Sequence, residues 1–166
     1  CRLHEARAVV IPVFNESNVL PPFSGGSPAL PTALSPYSAS MFEVFARFGS
    51  TPERKAILVG LLGYRQALRD RGLIEGFQWI DGSFVENVEA LANRDPSDID
   101  VFSILSAPPR YLTDPAAWQA TGLPFWNAEV ANRDLNKQRF SLDTYAVLFE
   151  EIQVQPINYI NQIIYW

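Results

Sequence analysis

At 166 residues the chain is long enough for one domain with a substantial hydrophobic core. Apolar residues make up 48% and charged residues 19%, which excludes an intrinsically disordered polymer. The net charge of −5, with Lys55 and Lys137 the only lysines, excludes the overall basic field that usually draws a protein to nucleic acid, although arginine can still build a local patch.

No apolar run reaches the length of a membrane span, and no basic-then-apolar leader is visible, so no membrane partner is expected. Cys1 is the only cysteine, which precludes an internal disulfide and fits a cytoplasmic location. The chain starts at Cys1 without methionine and stops at Trp166 in an apolar, aromatic stretch. Such a stretch ordinarily continues or packs against something, and a longer parent protein, truncated here at the C-terminus, is the expectation.

Residues 9–37 are rich in Pro, Gly and Ser, and the run from Leu20 to Gly26 is incompatible with a regular helix or a central strand. Its apolar members predict a lasso over a core, which gives residues 1–39 as an N-terminal lasso and 40–166 as the domain proper. Ser40 is placed to cap a short helix through Phe48, with Phe42, Phe45 and Phe48 on one face. Thr51 followed by Pro52 starts a second helix that runs to about Arg71 and stops at Gly72. Its apolar stripe is Ile57, Leu58, Leu61, Leu62 and Leu68. The pattern then predicts a strand over Phe77–Ile80, a helix from Ser83 to about Leu91 and a strand from Asp98 to Leu105. Helices follow over Asp114–Ala120 and Ala128–Asn136. Period-two alternation over Phe140–Phe149 predicts a strand. Ile157–Trp166 is predicted as a final helix. The sum is an α+β fold, a small mixed sheet flanked by helices.

Asp98 and Asp100 stand one residue apart at the start of an apolar strand, so their side chains share a face. Two carboxylates there repel each other and are costly to bury, and a hard divalent cation such as magnesium would offset them. The other reading of Asp98-Ile99-Asp100 is a solvated strand entrance with Asp98 capping a turn. Upstream, Gly82 lets the backbone turn sharply and a ligand come close, and Ser83 falls at a predicted helix N-terminus, where free amides attract phosphate. The plainer reading of Ser83 is an N-cap after a glycine turn.

Taken together, strand, Gly82-Ser83, helix and a strand bearing Asp98-Ile99-Asp100 resemble the DNA polymerase beta-type nucleotidyltransferase superfamily. A Leu-Pro-Pro segment, an Arg-bearing helix, Asp81-Gly82-Ser83-Phe84 and the downstream Asp-x-Asp also look like an uncharacterised bacterial family of nucleotidyltransferase-like proteins. The resemblance covers roughly residues 11–150. It implies a minimal nucleotidyltransferase fold and two-metal nucleotidyl transfer. In that scheme Asp98, Asp100 and a third carboxylate, assigned to Asp143, hold two magnesium ions. Asp143 also helps deprotonate the attacking hydroxyl, and Gly82-Ser83 binds the nucleotide's distal phosphates. Arg94, Arg110, Arg133 and Arg139 are candidates for charge toward the triphosphate, or are surface arginines.

The expected partners are a nucleoside triphosphate and an acceptor that is a protein, an RNA end or a small molecule, with a protein partner or oligomer as a further option. Two departures support an alternative. Asp81 stands where the superfamily has an apolar residue, and Phe84-Val85-Glu86 offers no basic side chain. The alternative is a catalytically degenerate binding subunit of a toxin-antitoxin or phage-defence assembly; a purely structural domain is a third reading. Elsewhere, Cys1-x-x-His4 lacks the further ligands of a zinc site. Gly25-Gly26-Ser27 lacks the lysine of a phosphate loop. Trp79, Trp118, Trp126 and Trp166 have no accompanying basic cluster and are read as core or interface.

Overall fold

Ser40 opens the first helix by accepting a hydrogen bond from the Glu43 amide, while the Glu43 carboxylate takes the Ser40 amide at 2.6 Å. This reciprocal cap satisfies two amides that a helix start leaves orphaned and sets α1 at Met41–Phe48. Thr51 caps the Arg54 amide at 3.1 Å and Pro52 occupies the first turn of α2, Pro52–Asp70. The computed structural model describes residues 11–25 and 33–150. The predicted helix Ile157–Trp166 lies outside the described residues, as do Cys1, His4 and Trp166.

The buried stripe of α2 is Arg54, Ile57, Leu58, Leu61, Tyr64 and Leu68. Leu62, expected in that stripe, is 42% exposed instead. One residue beyond Leu61 is a rotation of about 100° on a helix, so Tyr64, three residues on, takes the inward place.

Three strands form one mixed sheet in the order β1-β2-β3: β1 Gly76–Asp81, β2 Ile99–Leu105 and β3 Leu142–Leu148. β1 pairs antiparallel and β3 parallel to the central β2. A parallel neighbour needs a crossover, and here it is helical: α4 Pro109–Thr113, α5 Pro115–Ala117, α6 Leu123–Phe125 and α7 Arg133–Phe140. The α-helical pieces α5 and α6 alternate with π-helical turns at Trp118–Gly122 and Trp126–Val130.

The helices predicted over Asp114–Ala120 and Ala128–Asn136 are therefore divided elsewhere. Pro124, which lacks an amide, is flanked by the two wider π turns, and the run continues to Val130. The actual break follows Ala131. Asn132 then accepts from the Leu135 amide at 3.1 Å and starts α7, which consumes Phe140 before β3 begins.

Alternation along the strands sorts two faces. On one, Ile80, Ile99, Val101, Leu105, Leu142 and Leu148 join the α2 stripe in the main core. Gln78 shares that side, donating to Ser103 Oγ at 2.9 Å and accepting from Arg65 of α2 at 3.0 Å. On the other, Phe102, Ile104 and Val147 form a second cluster with Trp79 and Tyr145.

Residues 11–25 lie on this body. Ile11 is buried and Phe14 and Leu20 pack on the core. Arg47 of α1 donates to the Pro12 carbonyl at 2.8 Å and lies 4.0 Å over the Phe14 ring. Asn18 meets Asn87 twice, through a backbone bond of 2.9 Å and a side-chain bond of 2.8 Å.

Helices α2 and α7 touch through Gly60, where a β-carbon would overlap the Phe140 carbonyl. Helix propensity alone favours Gly60→Ala by about 1 kcal/mol. The contact predicts the opposite sign, a loss of about 1–3 kcal/mol from overpacking, measured by urea unfolding.

Candidate active site

Parallel pairing puts the starts of β2 and β3 at the same end of the sheet, and antiparallel pairing brings the end of β1 there too. Asp81 pairs with Asp100, and Asp100 pairs with Asp143, so one carboxylate from each strand lies in a single row. Side chains directly opposite on neighbouring strands have β-carbons about 5 Å apart and share a face. The next rows on that face are Trp79, Phe102 and Tyr145, then Phe77, Ile104 and Val147. Asp98 precedes β2 by one residue. Burial, reinforced by the charges of Asp98, Asp143 and Asp81, pushes the Asp100 carboxyl above its ordinary range.

The offsetting charge comes from α7. Arg133 donates through Nε and Nη2 to the two oxygens of Asp143, each at 2.7 Å, and its guanidinium lies 4.0 Å over the Tyr145 ring. One helical turn on, Lys137 Nζ stands 2.7 Å from Asp98 Oδ2. The hydrogen bond from Arg133 holds the Asp143 carboxyl below its usual range, and Asp98 raises the Lys137 ammonium. The Arg133 and Lys137 side chains are 48% and 57% exposed. Pairs this open each contribute about 1 kcal/mol or less to stability. Their chief effect is to neutralise the carboxylate end of the sheet. Among the described residues no ion pair reaches Asp100.

Gly82 turns the chain out of β1 with φ +77°, and a β-carbon there would overlap the Asp100 carboxylate. Both facts restrict the position to glycine. Ser83 does not begin an α-helix, contrary to the reading of Ser83 to Leu91. Gly82–Val85 is a single 3-10 turn, Glu86 is extended, and α3 is only Val88–Ala92.

Arg54, 2% exposed in α2, braces this geometry. It donates to the carbonyls of Phe84 and Glu86, each at 2.7 Å, and pairs with Glu89 through Nε and Nη2. Asn87 is held by Asn18. The Phe84 and Glu86 carbonyls are thus taken by the guanidinium, and the chain is extended at Glu86 between the 3-10 turn and α3. A single 3-10 turn carries little macrodipole, so any anion at Ser83 would depend on the turn's free amides and the hydroxyl.

Of the arginines proposed for the triphosphate, Arg133 reaches the carboxylates. Arg94 bonds the Asp95 carbonyl, Arg110 bonds the Arg71 carbonyl and Tyr111, and Arg139 faces Glu129 at 3.6 Å. Lys137 and Arg54 escape the sequence reading, although each leaves a signal. Lys137 follows Arg133 at helical spacing, and Arg54 stands in register with the apolar stripe of α2.

Carboxylate oxygens from two adjacent strands are the hard donors that magnesium takes, and Asp100, hemmed in by like charge, suits a cation. With Asp98 and Asp143 turned toward Lys137 and Arg133, no group of three acidic, His or Cys side chains is arranged as a ready metal site among the described residues. Among them, too, no helix is long and apolar enough to cross a membrane.

The chain belongs to DUF6932, a family of unknown function, whose match spans residues 12–166 and so contains the whole carboxylate site. No curated protein and no solved structure matches it.

Arg54→Met should cost about 3 kcal/mol in urea unfolding, because it leaves Glu89 and two carbonyls without their donor. Asp100→Asn should stabilise the fold at neutral pH. A carboxyl whose folded pKa is raised destabilises the native state above that pKa; the penalty fades as pH falls through it and is gone below the unfolded value of about 4. Urea midpoints of Asp100→Asn and the parent should therefore differ at pH 7 and converge toward pH 3.

Proposed function

We propose that this chain is a magnesium-dependent nucleotidyltransferase on a minimal nucleotidyltransferase fold, moving a nucleotide from a nucleoside triphosphate to a hydroxyl acceptor. The reading rests on one observation: the Gly82 turn packs against Asp100, which lies in register with Asp143 on the adjacent parallel strand and two residues beyond Asp98.

In this reading Asp98, Asp100 and Asp143 would hold two magnesium ions. Bound there, such ions stabilise the charge on the attacking and leaving oxygens of an in-line transfer. Gly82, lacking a side chain, lets the turn come up against the Asp100 carboxylate, which a β-carbon there would overlap. Ser83, through its hydroxyl and the amides at the start of the turn, would donate to the distal phosphate oxygens. Arg54 would act at one remove by fixing the carbonyls of Phe84 and Glu86, hence the shape of that turn. Arg133 keeps Asp143 ionised, which suits it better to holding a cation than to taking a proton from the acceptor.

The second reading, a subunit of a toxin-antitoxin or phage-defence assembly that binds a nucleotide or a partner without turnover, draws on the same ion pairs. Arg133 and Lys137 neutralise two of the carboxylates with no metal required.

The protein incubated with each labelled nucleoside triphosphate, magnesium and cell extract should yield a labelled product with one or more of the four nucleotides. That product should fall to background in Asp98→Ala/Asp100→Ala. Nucleotide binding by calorimetry without any labelled product would decide for the second reading.

A further inference from the structure

Arg133 and Lys137, the α7 cations at the carboxylates, are attached differently from the helix that carries them. Asn136, between them in sequence, is buried and donates to the carbonyls of Glu129 and Val130 and to Thr144 Oγ1 at 2.9, 3.2 and 2.8 Å. The far end of the helix is seated where Phe140 meets Gly60. The backbone of α7 is thus fixed on the body, whereas Arg133 and Lys137 reach Asp143 and Asp98 through long, half-exposed side chains. Such side chains change partner by rotamer rotation, on a nanosecond scale and without moving the helix.

We infer that Arg133 and Lys137 are an exchangeable pair, neutralising Asp143 and Asp98 in the ion-free chain and passing to the nucleotide's polyphosphate once a divalent cation takes the carboxylates. The inference rests on the nucleotidyltransferase reading and adds to it the groups that recognise the phosphates. A carboxylate that ligates a cation attracts a neighbouring guanidinium or ammonium less, and the cation repels both. A polyphosphate beside the same carboxylates offers Arg133 a bidentate anion and Lys137 a point charge, matching the partners they leave. Cation and nucleotide then assist each other's binding, whereas the cation alone competes with Arg133 and Lys137.

Titration of the folded chain with Mn2+, followed by the decline of the free-ion paramagnetic resonance signal, separates these effects. Lys137→Gln and Arg133→Gln are expected to bind Mn2+ several-fold more tightly than the parent when no nucleotide is present. In Mg2+, each variant should bind a nucleoside triphosphate that the parent binds about tenfold more weakly, since each removes one charge-assisted interaction with phosphate. Lys137→Arg, which keeps the charge, should stay near the parent in both assays. If the parent binds Mn2+ but the glutamine variants bind it equally or more weakly, the exchange is wrong while the metal site stands. If neither parent nor variants bind Mn2+, the nucleotidyltransferase reading and the exchange fall together.

Discussion

Four carboxylates gathered at one end of a three-stranded sheet repel one another, and the surroundings of that end answer the repulsion. Each strand contributes one aspartate to a common row, and Asp98 adds a charge just outside it. Nothing in β-sheet packing calls for such a row. Strand ends are ordinarily solvated by scattered polar residues, and like charges placed directly opposite destabilise a sheet. Arg133 and Lys137 relieve Asp143 and Asp98, while Asp100 is half-buried and has no ion pair among the described residues. A fold that keeps such a concentration of like charge carries a local instability of the kind that functional sites retain.

Arg54 solves a different problem on the other side of the turn. It is a buried guanidinium whose donors are taken up by a carboxylate and two carbonyls. Burying an arginine is costly unless its hydrogen bonds are satisfied. Here that requirement and the shape of the Gly82–Glu86 segment are met by the same contacts. The segment therefore draws its geometry from a long-range partner in α2, not from its own propensity.

That distinction explains what is legible in the sequence. The caps at Ser40 and Thr51 are local chemistry and can be read directly, as can the apolar strand after Asp98 and the mixed α+β character of the whole. The break after Val85 cannot, because the group that braces it, Arg54, stands thirty residues upstream. The crossover is not divided as the sequence predicts, because π turns carry the helical run through the gap between Ala120 and Ala128. At the site, the Asp98–Asp100 spacing shows in the chain itself. The alignment of Asp143 and Asp81 with Asp100 depends on strand register, and the part played by Lys137 depends on where α7 packs.

The pairing of Asn18 with Asn87 gives the N-terminal strap a mechanical role. Asn87 directly follows the turn that Arg54 clamps, so the turn is gripped from two sides, by a helix within the body and by a strand of chain laid over it. Ile11, Phe14 and Leu20 anchor that strap in the core, which makes it a tension member and not a tail. The strap, Arg54 and the turn that packs on Asp100 are thereby joined as one body, so the N-terminal segment is part of the scaffold of the carboxylate row.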